Sequence, residues 1–455
     1  MYVRNYLFAF LSLYTSLQIH IFSTAELVYA QDQLRGFELY QEMGTPGFVQ
    51  YEGSVNIQWL PSDLGYLEVE EVDGGAEFFA VDPETQERSP LFSNRQVRML
   101  TGALEEKYGV ELDALPFLSF DYVMQNQAIF FVYNEQDHLF HLEDATLRVL
   151  YKPEVERAPY TDELMRRMET SQLWNGTYSH DYRWFAYVKG YDIYLVNTET
   201  KQQKRLTYGS EEQMNGRPSW VYPEEFGQRD AYWFSPDNKK IAYLQYKETD
   251  VYQYPIIHEL EFETGLELER YPKAGEANPT VNLFIVDIES GELQQIPTNS
   301  GPDTYIVRPI WRDNSEELTF RRLNRKQDYL EFLSYSLDSQ EVRTIFTEQE
   351  NTYINLHDNF YQLNDGEHFL WTSEQTGFNQ LYLFNFDGSL VRQLTDGENP
   401  LGSIVRVDQK NRLVYYTAYH NMGLDEYFHV VSYDGESTQL TEFDGRHSIS
   451  MNAAA

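Results

Sequence analysis

A short β-rich motif returns seven times along this 455-residue chain. Each copy has four residues, mostly apolar or aromatic, followed by a polar or acidic residue at a turn. The copies are Phe78-Phe79-Ala80-Val81-Asp82, Leu139-Phe140-His141-Leu142-Glu143 and Ile193-Tyr194-Leu195-Val196-Asn197, then Leu283-Phe284-Ile285-Val286-Asp287. The last three are Phe332-Leu333-Ser334-Tyr335-Ser336, Leu381-Tyr382-Leu383-Phe384-Asn385 and Phe428-His429-Val430-Val431-Ser432. Their fifth residues are spaced by 61, 54, 90, 49, 49 and 47. Turn chemistry follows most of them, as in Glu199-Thr200, Ser290-Gly291, Asp387-Gly388 and Asp434-Gly435. Short strands at a period near 50, punctuated in this way, predict an all-β chain folded as a β-propeller with four strands per blade.

The one long interval, 90 residues ending at Asp287, holds a blade and an insertion. Insertions in repeat folds map to loops on one face, where binding residues concentrate. The segment of about 217–281 is therefore the expected substrate-facing region. Two helices are expected between blades. One is Asn94–Tyr108, where Val97, Leu100 and Leu104 fall at helical spacing; the other is Tyr160–Leu173.

Composition narrows the function. Acidic residues outnumber basic ones 72 to 35, a formal charge of −37, so phosphate-based nucleic-acid binding is not expected. There is no cysteine, which removes disulfides, thiolate metal sites and cysteine nucleophiles. Residues 1–30 read as a secretory signal peptide: Arg4 is the charged start, an apolar stretch runs from Tyr6 to Phe22, and Val28-Tyr29-Ala30 offers the cleavage residues. Thr15, Gln18 and His20 interrupt that stretch, which disfavours a spanning anchor. The expected protein is exported, to the periplasm, the cell envelope or the outside. It does not span a membrane after cleavage, and residues 31–455 form the propeller.

Within the insertion, Trp220-Val221-Tyr222-Pro223-Glu224-Glu225-Phe226 sets two acids in an aromatic cluster. Adjacent carboxylates suit a primary ammonium, which has three donors to place. Bare Glu-Glu pairs also occur at 70–71, 105–106, 211–212 and 316–317, where they read as solvated surface. The aromatic setting distinguishes the copy at Glu224 and Glu225. Next come Tyr232-Trp233-Phe234-Ser235-Pro236-Asp237 and Ile241-Ala242-Tyr243, a strand, a turn and a second strand. Tyr271-Pro272-Lys273-Ala274-Gly275 and Asn278-Pro279-Thr280-Val281 read as a loop of specified shape. His138 and His141 lie three apart in a strand and point to opposite faces, so they make no metal pair. No calcium-loop pattern is present, and neither a metal nor a cofactor is expected.

These segments, taken in order and together with Leu323-Asn324-Arg325-Lys326-Gln327, closely resemble the propeller of the dipeptidyl peptidase IV family. The resemblance is specific over 217–330. It implies an exported serine exopeptidase that releases dipeptides from peptide N-termini, preferring Pro or Ala second. It also implies an eight-bladed propeller covering a C-terminal α/β-hydrolase domain, with Glu224 and Glu225 as the pair that grips the substrate's ammonium. Tyr222, Phe226 and Trp220 would then support the loop.

This sequence departs from the family's pattern in three respects. It contains no Gly-x-Ser-x-Gly, the elbow that presents a hydrolase serine. No arginine lies between Asp121 and Leu147, where the family places one against a substrate carbonyl. Only seven repeats are countable, so an eighth blade is expected to be incomplete. The leading expectation is a substrate-gating propeller without its hydrolase domain, with no catalytic residues of its own and inactive alone. Its partners would be peptide or protein N-termini, a separate or missing hydrolase domain, and further copies of itself. The alternative is a free-standing propeller that binds peptides or envelope proteins without hydrolysing them.

Overall fold

A computed structural model of the protein describes residues 57–61, 64–153, 174–258 and 265–451. The expected signal peptide and the helix at Tyr160–Leu173 lie outside these residues. Seven antiparallel sheets follow one another along the described chain, in keeping with a β-propeller. The first joins Tyr66–Val72, Gly75–Val81 and Arg88–Pro90, with Trp59 bridged to Tyr66 at its near edge. Four-stranded meanders make up the second, third, fifth, sixth and seventh. Apart from a two-stranded hairpin that stands off the fourth, no further sheet occurs among the described residues.

Each copy of the repeat is the penultimate strand of a sheet. In most copies the fifth residue makes the next turn by accepting backbone N–H groups, the reason short oxygen-bearing side chains recur there. Asp82 accepts from Glu84 and Thr85, Asn197 from Glu199 and Thr200, and Asp287 from Glu289 and Ser290, at 2.8–3.1 Å. In the second sheet the acceptor is Asp144, one residue beyond Glu143, with the Thr146 N–H at 3.0 Å. A second periodic device is less visible in the sequence. Thr207, Thr395 and Thr441, each after a leucine, accept the N–H of Ile193, Leu381 and Phe428 and close the outer edge of three sheets.

The helix α1, Asn94–Tyr108, forms between the first two sheets as its spacing predicts. Ser93 and Gln96 make a reciprocal capping box, and Gly109 closes the helix in the left-handed region. Leu100 and Leu104 are buried among Phe78, Phe117, Phe120 and Phe131.

The fourth sheet departs from the pattern. Its strand Lys240–Lys247 pairs with two short strands instead of one, Gln213–Asn215 and Tyr232–Phe234. The chain leaves the sheet between them, and that excursion holds the acid pair. After Lys247 it leaves again, forming an outlying hairpin of Gln253–His258 with Gly265–Arg270 before Thr280–Asp287 completes the pairing. In an antiparallel meander the turn between strands two and three lies at the same end as the link to the next sheet. The hairpin, the Asn324–Tyr329 turn and the link after Gln349 therefore share one end of the fourth and fifth sheets.

Candidate functional site

The first excursion is a six-residue helix, α2, Val221–Phe226. Its local signals are weak: Trp220 at the N-cap makes no side-chain cap. Pro223 is tolerated because an N–H in the first turn has no helical partner to lose. Gly227 ends the helix at φ 61°, with its N–H on the Tyr222 carbonyl.

Tertiary contacts supply what the helix lacks. Tyr222 is 1% exposed, and its hydroxyl accepts the Ile306 N–H at 3.1 Å. Its ring meets Tyr246, Phe226 and Tyr305 edge to face. Ile306 belongs to Thr304–Trp311, the first strand of the fifth sheet. That strand bulges between Val307 and Ile310, and Arg308 sits there at φ 51°, uncommon for a residue with a side chain. The bulge aims Arg308 at the helix end. Its guanidinium donates to the Phe226 carbonyl at 2.9 Å and pairs with Asp358 at 2.5 Å, while its N–H donates to Gln228 at 2.8 Å. Both ends of α2 are thus fixed to one strand of the next sheet.

Glu224 and Glu225 stand exposed on this short helix. Among the described residues neither has a cation at ion-pair distance. Glu225 accepts the Gln327 amide N–H at 2.5 Å, and Tyr353 donates to the Gln327 carbonyl oxygen at 3.0 Å. Burial, and then the Glu225 charge, hold the Tyr353 phenol above its ordinary range. Tyr305 is raised too, by burial first, with Glu225 a lesser cause. Two adjacent carboxylates with no cation partner among the described residues can accept a cation that comes from outside.

Segments separate in sequence meet around this helix. Asn278 donates to the Tyr305 hydroxyl at 2.7 Å, and Arg325 reaches the Glu276 carbonyl at 2.5 Å and Asp303 at 3.1 Å. These contacts tie the loop after Tyr271 to the fifth sheet. Trp220 is 37% exposed and meets the Tyr271 ring edge-on at 4.2 Å, so it flanks the acids at the surface, whereas Tyr222 and Phe226 are buried beneath them. Trp233 lies apart, its carbonyl accepting the Trp311 indole N–H. Sequence reasoning missed Arg308 and Tyr353 altogether, and it quoted Gln327 without a role. No local pattern marks a left-handed arginine or a contact across 102 residues.

His138 is buried and satisfied, with its ring nitrogens at 2.9 Å from the Gln136 carbonyl and 2.8 Å from the Tyr108 hydroxyl. Burial lowers its pKa. No cluster of three metal-ligating side chains occurs among the described residues. Nor does any helix there have the length and apolarity to cross a membrane.

Comparison with known proteins points to one family. The chain is 35% identical over 265 residues to dipeptidyl peptidase 4 of Trichophyton tonsurans, covering 55% of this chain and 34% of that protein. It is 30% identical over 268 residues to the probable dipeptidyl peptidase 4 of Aspergillus flavus, with 54% and 34% covered. It thus spans about a third of the length of the curated relatives it matches. The crystal structure of Porphyromonas gingivalis dipeptidyl peptidase 4 shares the fold at a TM-score of 0.63 and 20% identity, over 86% of this chain and 53% of that one. That of a putative dipeptidyl aminopeptidase IV from Bacteroides ovatus does so at 0.67 and 20%, over 87% and 55%. The family model for the dipeptidyl peptidase IV (DPP IV) N-terminal region matches residues 126–455, and the chain accordingly belongs to the dipeptidyl peptidase IV family.

Proposed function

We propose that this chain is the substrate-gating propeller of an exported dipeptidyl peptidase IV-like serine peptidase, and that Glu224 and Glu225 hold the free α-ammonium of a peptide's N-terminus. One observation carries the reading: two neighbouring exposed carboxylates, without a protein cation among the described residues, stand on a helix fixed at both ends. At about 4 Å and an effective dielectric of about 20, each carboxylate attracts an ammonium by about 4 kcal/mol before desolvation. A helix that does not move fixes where the N-terminus sits, and in a peptidase that position counts residues to the cut. Without a domain closing over the peptide, affinity would be weak, about millimolar, because ordering the peptide offsets most of the attraction.

Hydrolysis would need a nucleophile, a base and an oxyanion hole, and no Gly-x-Ser-x-Gly occurs in this sequence. The chain by itself is therefore expected not to turn over a chromogenic Gly-Pro amide, and a hydrolase domain, separate from or missing in this sequence, is its proposed partner. Self-association is a further proposed property. The hairpin beside the site exposes Ile257, Leu266 and Leu268, apolar side chains that a second copy would cover.

The test is an NMR titration with Ile-Pro-Ile, free and N-acetylated. The reading expects shifts centred on Val221–Gly227 with the free peptide and none with the acetylated one. Equal binding of the two peptides would overturn it.

A further inference from the structure

The two glutamates are adjacent in sequence but not equivalent in surroundings. Glu224 makes no hydrogen bond or ion pair among the described residues. Glu225 has one oxygen committed to the Gln327 amide N–H at 2.5 Å. Gln327 is unusually constrained for a glutamine in a turn. It is 6% exposed and takes φ 57°. Its N–H donates to the Asn324 carbonyl at 2.9 Å, and its carbonyl accepts the Ile354 N–H at 2.7 Å. Its side chain is fixed from both ends as well, because the Tyr353 hydroxyl donates to its carbonyl oxygen at 3.0 Å.

That pair of contacts settles which way the amide faces. An ionised carboxylate can only accept, so the NH2 end must meet Glu225. The hydroxyl proton of Tyr353 then goes to the oxygen end. Reversing the amide would set its oxygen against the carboxylate. The chain Tyr353 to Gln327 to Glu225 therefore runs in one direction, and the second oxygen of Glu225 has no partner among the described residues.

We propose that Gln327, backed by Tyr353, is a positioning residue of the acid pair. It makes Glu225 the stationary acceptor for an incoming primary ammonium and leaves Glu224 free to adjust. The proposal rests on the ammonium reading given above. Its physical content is preorganisation. A glutamate already held in its binding rotamer loses less side-chain freedom when the ligand arrives, and the fixed oxygen defines the position of the peptide's nitrogen. A hydrogen bond that also disperses carboxylate charge lowers the repulsion between Glu225 and Glu224 in the empty site.

The experiment uses the full chain with Gln327→Met, Gln327→Glu and Tyr353→Phe. Ile-Pro-Ile, free and N-acetylated, is titrated by NMR at pH 5.5 and 7.5. Gln327→Met keeps the bulk and loses the donor, and should weaken the free peptide about tenfold at both pH values. Tyr353→Phe should weaken it severalfold. Gln327→Glu brings a third carboxylate against Glu225, and two carboxylates in contact share a proton with a raised apparent pKa. It should bind poorly at pH 7.5 and recover towards the wild-type affinity at pH 5.5, where the shared proton restores a donor. A merely structural glutamine would give no such recovery, so this variant decides the matter even if Gln327→Met fails to fold. Wild-type discrimination between the two peptides, together with Gln327→Met and Gln327→Glu binding like wild type, would overturn the positioning role alone. Equal loss in Gln327→Glu at both pH values would overturn it too. If the wild type does not discriminate, the ammonium reading falls and the positioning role falls with it.

Discussion

The helices α1 and α2 are held in place by different means. Helix α1 has 15 residues, a capping box, a left-handed glycine at its end and an apolar face at helical spacing. Helix α2 has six residues, a tryptophan at its N-cap that caps nothing, and a proline in its first turn. A helix so short is not stable by its own hydrogen bonds. It exists because Tyr222 and Phe226 are buried against the fifth sheet and because Arg308 bonds its last carbonyl. The ordinary helix carries its instructions locally, whereas the one bearing the candidate site draws them from residues about 80 positions away. Contacts of that kind place two acids with a precision that six residues cannot achieve alone.

The strongest way to break this comparison is to remove the packing beneath α2. Tyr222→Ala and Phe226→Ala should each cost about 3–5 kcal/mol in denaturant unfolding, and Tyr222→Ala also orphans the Ile306 N–H. Peptide binding should be lost with either. Retention of binding in a folded variant would mean that the helix is self-sufficient.

A smaller effect is expected at the bulge. Arg308→Met keeps the backbone N–H on Gln228 but removes the guanidinium donors to Phe226, Gln228 and Asp358, and should cost about 2 kcal/mol, with faster amide exchange confined to 221–228. Ser93→Ala should cost about 1 kcal/mol and speed exchange at the start of α1. Trp220→Ala, at the matching position of α2, removes no cap hydrogen bond and should leave exchange at the helix start unchanged apart from lost contact with Tyr271. Equal responses at Ser93 and Trp220 would erase the distinction.

The smallest effect concerns the blade turns. Backbone donors hold Asp82 and Asp287 below their ordinary value of 3.8, and a hydroxyl and a backbone donor do the same for Asp387. A depressed folded-state pKa contributes stability above the unfolded value and loses it as pH falls through the folded one. These turns should therefore loosen only below about pH 3.8, and Asp287→Asn should flatten part of that acid limb in a melt-versus-pH series. Relief of self-repulsion as the net charge of −37 is titrated works in the opposite direction, so the limb should be shallow.

The legibility of the chain follows the same division. The seven repeats and α1 were readable because their signals are short-range: a strand ending in an Asx turn, and apolar residues three and four apart. The Leu-Thr pairs at 206–207, 394–395 and 440–441 recur as well, but a threonine oxygen meeting an N–H 13 or 14 residues back leaves no apolar pattern to detect. The acid pair was readable as chemistry, through its aromatic setting and its resemblance to the family. Its support was not. Nothing near Gln327 or Tyr353 announces that they reach Glu225, and the bulge at Arg308 depends on a strand pairing rather than on residue type.

The central claim is that Glu224 and Glu225 recognise a peptide's ammonium, and calorimetric titration of Ile-Pro-Ile into wild type, Glu224→Gln and Glu225→Gln tests it most directly. Removing one charge from such a contact costs about 2–5 kcal/mol, so each variant should lose binding by at least about thirtyfold, which puts it beyond detection for a millimolar ligand. The N-acetylated peptide should give no heat with any of the three. Binding of the free peptide by both variants at wild-type strength would show that these acids are ordinary surface charge.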